Sequence, residues 1–216
     1  MKKQFVVIGL GRFGSSIAKT LYSLGHEVLA VDESEELVAD IVEHVTHAVQ
    51  ADATDETSLK ALGIRNFDVA IVAIGNDMQA SILVTLMVKE MGIDYVVSKA
   101  QNDLHAKVLY KTGADRVVFP EREMGVKVAN NLVSSNILDY IELSEDYSIV
   151  EIQAPSEWTG KNLAEINIRA KYGVNVMAIK RNAEINISPT AVDTIEEGDT
   201  LIVVGENEDL GSLGER

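Results

Sequence analysis

Three glycines and two charged side chains carry the first chemistry legible in this sequence. Gly9, Gly11 and Gly14 stand at G-x-G-x-x-G spacing in VIGLGRFG, with Arg12 and Phe13 inside the loop. Glycines so spaced allow a tight turn and let backbone N–H groups approach an anion, and a helix starting there adds its own N–H groups and the positive end of its dipole. Phosphate binding is the chemistry expected. Arg12 offers fixed donors to further phosphate oxygens, or it is a solvated arginine on a first helical turn. A cation at that end of a helix is unfavourable unless an anion compensates it. Asp32 follows 18 residues after Gly14. A carboxylate there accepts from ribose hydroxyls, or it caps the helix that begins at Glu33. An acid at this place disfavours a 2′-phosphate, which favours NAD, ADP or ATP over NADP.

A glycine loop means little without its flanking elements. Phe5-Val6-Val7-Ile8 is a continuous apolar run and reads as a strand buried on both faces. A helix over about 14–23 follows, with Ile17, Ala18 and Leu21 at helical spacing and Gly25 beyond it. Further strands are expected at 27–31, 46–51, 68–74, 95–98 and 116–119, alternating with helices. Alternation of this kind predicts an α/β fold, a Rossmann-like doubly wound parallel sheet. Two more turns then fall at its carboxyl edge. Asp52-Ala53 lies beside the expected adenine, with Ala53-Thr54-Asp55 also a helix-capping entry. Ala73-Ile74-Gly75-Asn76 ends the fourth strand, where glycine lets backbone approach a ligand. Lys99, ending the fifth strand, either reaches a phosphate or is solvated.

A helix over about 123–136, with Val126, Ala129, Leu132 and Val133 as its apolar stripe, leaves this module, and 137–147 reads as a linker. The texture then changes to short strands at 149–152, 176–179, 184–187 and 201–204, with one short helix at 163–166. This is a small α+β lobe. The domains expected are therefore 1–136, a linker at 137–147, and 148–216.

Composition narrows the classes. The chain has 216 residues and a formal net charge of −15, which repels nucleic acid and anionic lipid headgroups at long range, so a nucleic-acid partner is disfavoured. Ile82–Val88 is among the longest apolar stretches and is far too short to span a bilayer. MKKQ leads straight into the first strand, without the apolar segment of a signal peptide. Cysteine is absent, which excludes disulfides and thiolate metal sites and fits the cytoplasm.

With both lobes laid out, the chain resembles the RCK/KTN family of cytosolic regulatory subunits of Ktr/Trk-type bacterial potassium transporters, of the KtrA and KtrC kind. The matching stretches are VIGLGRFG (7–14), HEVLAVD (26–32), LGIRNFDVAIVAIGNDMQAS (62–81), KAQND (99–103), GADRVVFPEREMG (113–125) and IRAKYGVNVMAIKR (168–181). The resemblance implies a Rossmann-like first lobe that binds ATP or ADP and a small RCK C-terminal lobe. NAD(H) is a further ligand considered in the wider family. It implies an octameric ring of dimers on the inner face of an integral-membrane potassium channel subunit, with a ring shape that differs between ATP and ADP. Arg12 would contact the terminal phosphate. Glu121 would sit near the phosphates and help hold a divalent cation, Mg or Ca, since hard cations select carboxylate and phosphate oxygens. In the second lobe cyclic di-AMP would inactivate transport. Arg169 would face its phosphate, Asn175 and main-chain groups including Ala170 would read adenine, and Ile168 and Pro189 would pack on it.

Other readings compete with these. The glycine motif alone also fits a nicotinamide-dependent oxidoreductase, but the second lobe is small for a substrate domain and no acid–base pair is positioned. Tyr95 and Lys99 have the Y-x-x-x-K spacing of short-chain dehydrogenases, but on a β-branched run that reads as a strand. His44 and His47 lack a third ligand and read as surface residues. A soluble nucleotide sensor for another partner is the third reading.

Overall fold

The structure, a computed structural model, describes residues 2–133, 137–144 and 146–214. It divides into two compact units, Met1–Pro120 and Glu121–Arg216. The first alternates strand and helix: β1 (Gln4–Ile8), α1 (Arg12–Ser23), β2 (Glu27–Asp32), α2 (Glu35–Ile41), β3 (His47–Gln50), α3 (Glu56–Ala61), β4 (Val69–Val72), α4 (Met78–Glu90), β5 (Tyr95–Lys99), α5 (Asp103–Lys111) and β6 (Arg116–Val118). The strands form one sheet in the order β3-β2-β1-β4-β5-β6, parallel throughout. The chain reverses direction of winding between β1 and β4, and ligands of such sheets bind outside the strands' carboxyl ends at that point.

The apolar run of β1 has a direct cause in this topology. β1 is flanked by β2 and β4 and has helices on both faces, so each position must be apolar. Val6 and Ile8 pack into one core with Leu29, Val31, Ala70, Val72 and Val96. Val7 points the other way, into a core with Ala18, Val28, Ala30 and Ile71.

In the second unit, α6 (Pro120–Val133) is followed by β7 (Ile137–Glu142), β8 (Tyr147–Gln153), α7 (Leu163–Ile166), α8 (Ile168–Tyr172), β9 (Asn175–Arg181), β10 (Glu184–Asn186), β11 (Thr200–Glu206) and α9 (Asn207–Gly214). Its strands form an antiparallel sheet in the order β10-β9-β11-β8-β7. Val150, Ile152, Leu201 and Val203 alternate inward onto α9, whose Leu210 and Leu213 are buried.

Several local expectations change. The stretch 137–147, expected as a linker, contributes β7 at the sheet edge; an edge strand pairs on one side only and lacks the sequence pattern of a core strand. α6 begins at Pro120 rather than 123, as suits a proline at a first helical position. Val126, Ala129 and Leu132 of its stripe are exposed, while the Val133 side chain and residues 134–136 lie outside the described residues. A second short helix, α8, follows α7 through Asn167 in the left-handed region (φ 52°).

Candidate functional site

The loop after β1 is built by close approach. Gly9 has φ +94°, and its amide donates to the Val31 carbonyl at 2.9 Å. A Cβ on Gly14 would stand 1.8 Å from the Gly9 carbonyl oxygen, so only glycine lets α1 start this near the strand. A Cβ on Gly11 would meet nothing within 4 Å. The first and third glycines therefore serve packing, and the middle one faces open space.

α2, α3, α4 and α5 each carry a side-chain cap, from Ser34, Asp55, Asp77 and Asn102. α1 starts at Gly11 with no side-chain cap and no acid in its first turn. Its leading N–H groups and dipole face the Gly11 opening uncompensated. Arg12 is exposed, and among the described residues it has no ion-pair partner.

Asp32 does more than either role expected of it. Its Oδ2 accepts from the Leu10 amide at 2.6 Å, and its Oδ1 accepts from the Ser34 amide at 2.9 Å. The helix cap is Ser34, whose Oγ accepts from the Leu37 amide at 3.4 Å. Asp32 is the last residue of β2, two positions before the Ser34 cap, and its carboxylate instead ties β2 to the glycine loop. Ser15 closes the same loop by donating to the Leu10 carbonyl at 2.6 Å. Neither the Leu10 tie nor Ser15 is visible in the motif, because both partners on the Leu10 side are main-chain atoms.

Asp52 accepts from the Thr54 amide at 2.8 Å and the Thr54 hydroxyl at 2.6 Å, which shapes the turn holding buried Ala53. Asp55 caps α3, and the Ser58 hydroxyl with the Thr57 amide holds its carboxyl below the usual range. After β4, Ala73 donates to the Ile8 carbonyl at 2.7 Å, so this turn lies against the glycine loop. A Cβ on Gly9 would come 3.0 Å from the Ala73 carbonyl carbon and the Ile74 nitrogen. Gly75 and Asn76 continue it, and a Cβ on Gly75 would stand 3.2 Å from Lys99 Nζ. The turns after β1, β2, β4 and β5 thus converge, bringing Gly9, Gly11, Arg12, Phe13, Gly14, Asp32, Ala73, Ile74, Gly75, Asn76 and Lys99 to one sheet edge. Asp52 and Ala53 follow β3 at that edge.

Glu121 lies in the first turn of α6, at the start of the second unit. In that unit Arg169, Ala170 and Asn175 are exposed and Pro189 is half-buried. Ile168 is 4% exposed and belongs to the second core, so its apolar side chain is spent on packing rather than on an open face. Tyr95 and Lys99 lie on β5, where four residues span roughly 13 Å, too far for a Tyr–Lys pair. His44 and His47 are exposed, and among the described residues no group of three metal-ligating side chains is assembled.

The TrkA-N domain family matches residues 5–120, more than half of the chain, and the TrkA-C domain family matches 147–216. The chain belongs to the TrkA/RCK family. This RCK chain is 53% identical to Ktr system potassium uptake protein C of Bacillus subtilis, over 100% of this chain and 98% of that one. It is 52% identical to Ktr system potassium uptake protein A of the same organism, over 96% and 94%. It is a regulatory subunit of Ktr potassium uptake by that relationship. The GsuK channel bound to NAD shares the fold, at TM-score 0.65 and 17% identity, over 97% of this chain and 38% of that one. Among the described residues no helix is long and apolar enough to cross a membrane.

Proposed function

We propose that this RCK chain is a cytosolic, non-enzymatic nucleotide sensor that gates an integral-membrane potassium channel subunit. ATP and ADP compete for the crevice at the carboxyl edge of the parallel sheet. Adenosine lies over β2 and β3, with its ribose on Asp32, and the phosphates lie over Gly11 and the start of α1. The observation that carries this reading is the pairing of an uncapped α1 with Arg12, a cation that has no ion-pair partner among the described residues. A polyphosphate supplies the missing anion to both. Asp32 accepts from the ribose of NAD(H) equally well, so NAD(H) is a competing ligand.

A nucleotide shifts a ring only by its differential affinity for two conformations. Arg12 and Glu121 supply that difference, Arg12 by reaching the terminal phosphate and Glu121 by holding a divalent cation, Mg or Ca, with ATP. The subunits form an octameric ring of dimers on the inner face of the membrane. Exposed Val126 and Leu132 on α6 support a second copy as partner. Cyclic di-AMP binds the second unit at Arg169, Ala170, Asn175 and Pro189 and inhibits.

Calorimetric titration of the full chain with ATP, ADP, NADH and cyclic di-AMP, for wild type and Arg12→Ala, tests this. Arg12→Ala weakens ATP more than ADP; equal losses contradict the assigned role. Ring dimensions from solution scattering differ between ATP and ADP, and identical profiles sink the switch. Steady oxidation of NADH with a small carbonyl compound would revive an oxidoreductase.

A further inference from the structure

The turn after β5 is locked to the turn after β4. Gln101 follows β5, and its Nε2 donates a hydrogen bond to the Gly75 carbonyl oxygen. Gln101 is itself anchored. Its amide donates to His105 Nδ1 at 3.3 Å, and the His105 amide donates to Asn102 Oδ1 at 2.9 Å, the cap of α5. His105 is fully buried, so the anchor is part of the core. The Gly75 carbonyl is therefore pulled towards β5 by a residue with a fixed backbone.

The consequence lies on the other side of the same peptide. Among the described residues no peptide bond is cis, so the Gly75 carbonyl and the Asn76 N–H point in opposite directions across one planar unit. β4 sits between β5 and β1. A carbonyl turned to the β5 side aims the Asn76 N–H to the β1 side, where the crevice opens. Among the described residues that N–H donates to no acceptor. Lys99 Nζ lies near the same peptide, 3.2 Å from where a Gly75 Cβ would stand.

We infer that Gln101 is a positioning residue for the polyphosphate end of the bound nucleotide: it pins the Gly75 carbonyl and so presents the Asn76 N–H as a donor to phosphate oxygens. This rests on the nucleotide reading above and adds a residue to it. The strand order says which part of the ligand is touched. With ribose at β2 and the first phosphate over β1, only what extends beyond it reaches β4. Gln101 accordingly acts on ADP and ATP and leaves AMP alone. A neutral side chain that cannot donate frees the peptide to rotate, and one backbone hydrogen bond to a charged group is then lost.

The experiment is calorimetric titration of the full chain with AMP, ADP and ATP, for wild type, Gln101→Met and Gln101→Ala, with AMP read by displacement. Two variants are used so that a folding defect peculiar to one side chain does not decide the outcome, and thermal unfolding without ligand accompanies each. The expected result is a loss of about tenfold or more for ADP and ATP, the worth of one charge-assisted hydrogen bond, and less than about twofold for AMP. A merely structural role weakens all three in parallel, and that result overturns the inference. Wild-type ADP affinity in both variants overturns it too. A wild-type chain that binds none of the three overturns the nucleotide reading and, with it, the role of Gln101.

Discussion

Exchanging single glycines for alanine separates the packing of the phosphate loop from its ligand chemistry. At Gly14 a Cβ would stand 1.8 Å from the Gly9 carbonyl oxygen and 3.1 Å from the Ala73 Cβ, and real Cβ atoms essentially never approach within 3.0 Å. The obstructing atom is backbone, so α1 must shift by more than an ångström relative to β1. Overpacking of this kind costs about 1–3 kcal/mol. Each kcal/mol lowers the midpoint of a unit of this size by about 4 °C, which gives a fall of about 4–12 °C for Gly14→Ala, with nucleotide binding lost alongside. At Gly11 the same methyl meets nothing within 4 Å, and φ −61° suits any residue. Alanine is a somewhat poorer cap than glycine and less flexible unfolded, and the two effects leave stability within about 1 kcal/mol of wild type. Its methyl would occupy the space that the proposed nucleotide site gives to the phosphates, so the expected outcome is an ADP affinity about tenfold or more lower. Calorimetric unfolding and ADP titration of the two variants check this. A wild-type midpoint for Gly14→Ala, or wild-type ADP affinity for Gly11→Ala, refutes the assignment of the two glycines.

Asp32→Asn removes the charge from the acceptor that holds the Leu10 amide at 2.6 Å, so it lowers stability by about 1–2 kcal/mol as well as ADP affinity, read by denaturant unfolding and calorimetry. Arg181→Met strips fully buried Asp199 of two hydrogen bonds of 2.8 Å and destabilises the second unit by about 3 kcal/mol; Arg181→Met with Asp199→Asn recovers part of that loss. Burial holds the His105 imidazole below its ordinary pKa of 6.5. Its contribution to stability is therefore present above pH 6.5 and is lost as pH falls below that value, because the unfolded chain takes the proton first. The thermal midpoint falls between pH 7 and pH 5.5, and His105→Gln flattens that part of the profile.

Much of the first unit was legible because its rules are local. A strand buried on both faces must be apolar throughout, and a helix that starts against it must begin with glycines, so VIGLGRFG announced both. β7 was not legible, since an edge strand is paired on one side and carries little pattern. Ile168 carries no mark that separates a core residue from one facing a ligand, because apolar side chains serve both, and only packing places it in the second core.

The candidate site divides along the same line. The glycine loop, the acid at the end of β2 and the family could all be read from the residues alone, since each rests on residue types at fixed spacing. Tertiary structure decided that Asp32 holds the Leu10 amide, and that Gln101 reaches Gly75 from the turn after the neighbouring strand. Those bonds join main-chain atoms to side chains 22 and 26 residues away. Backbone amides and carbonyls occur at nearly every position, so no residue type marks which of them a distant side chain will meet until the sheet brings the strands together.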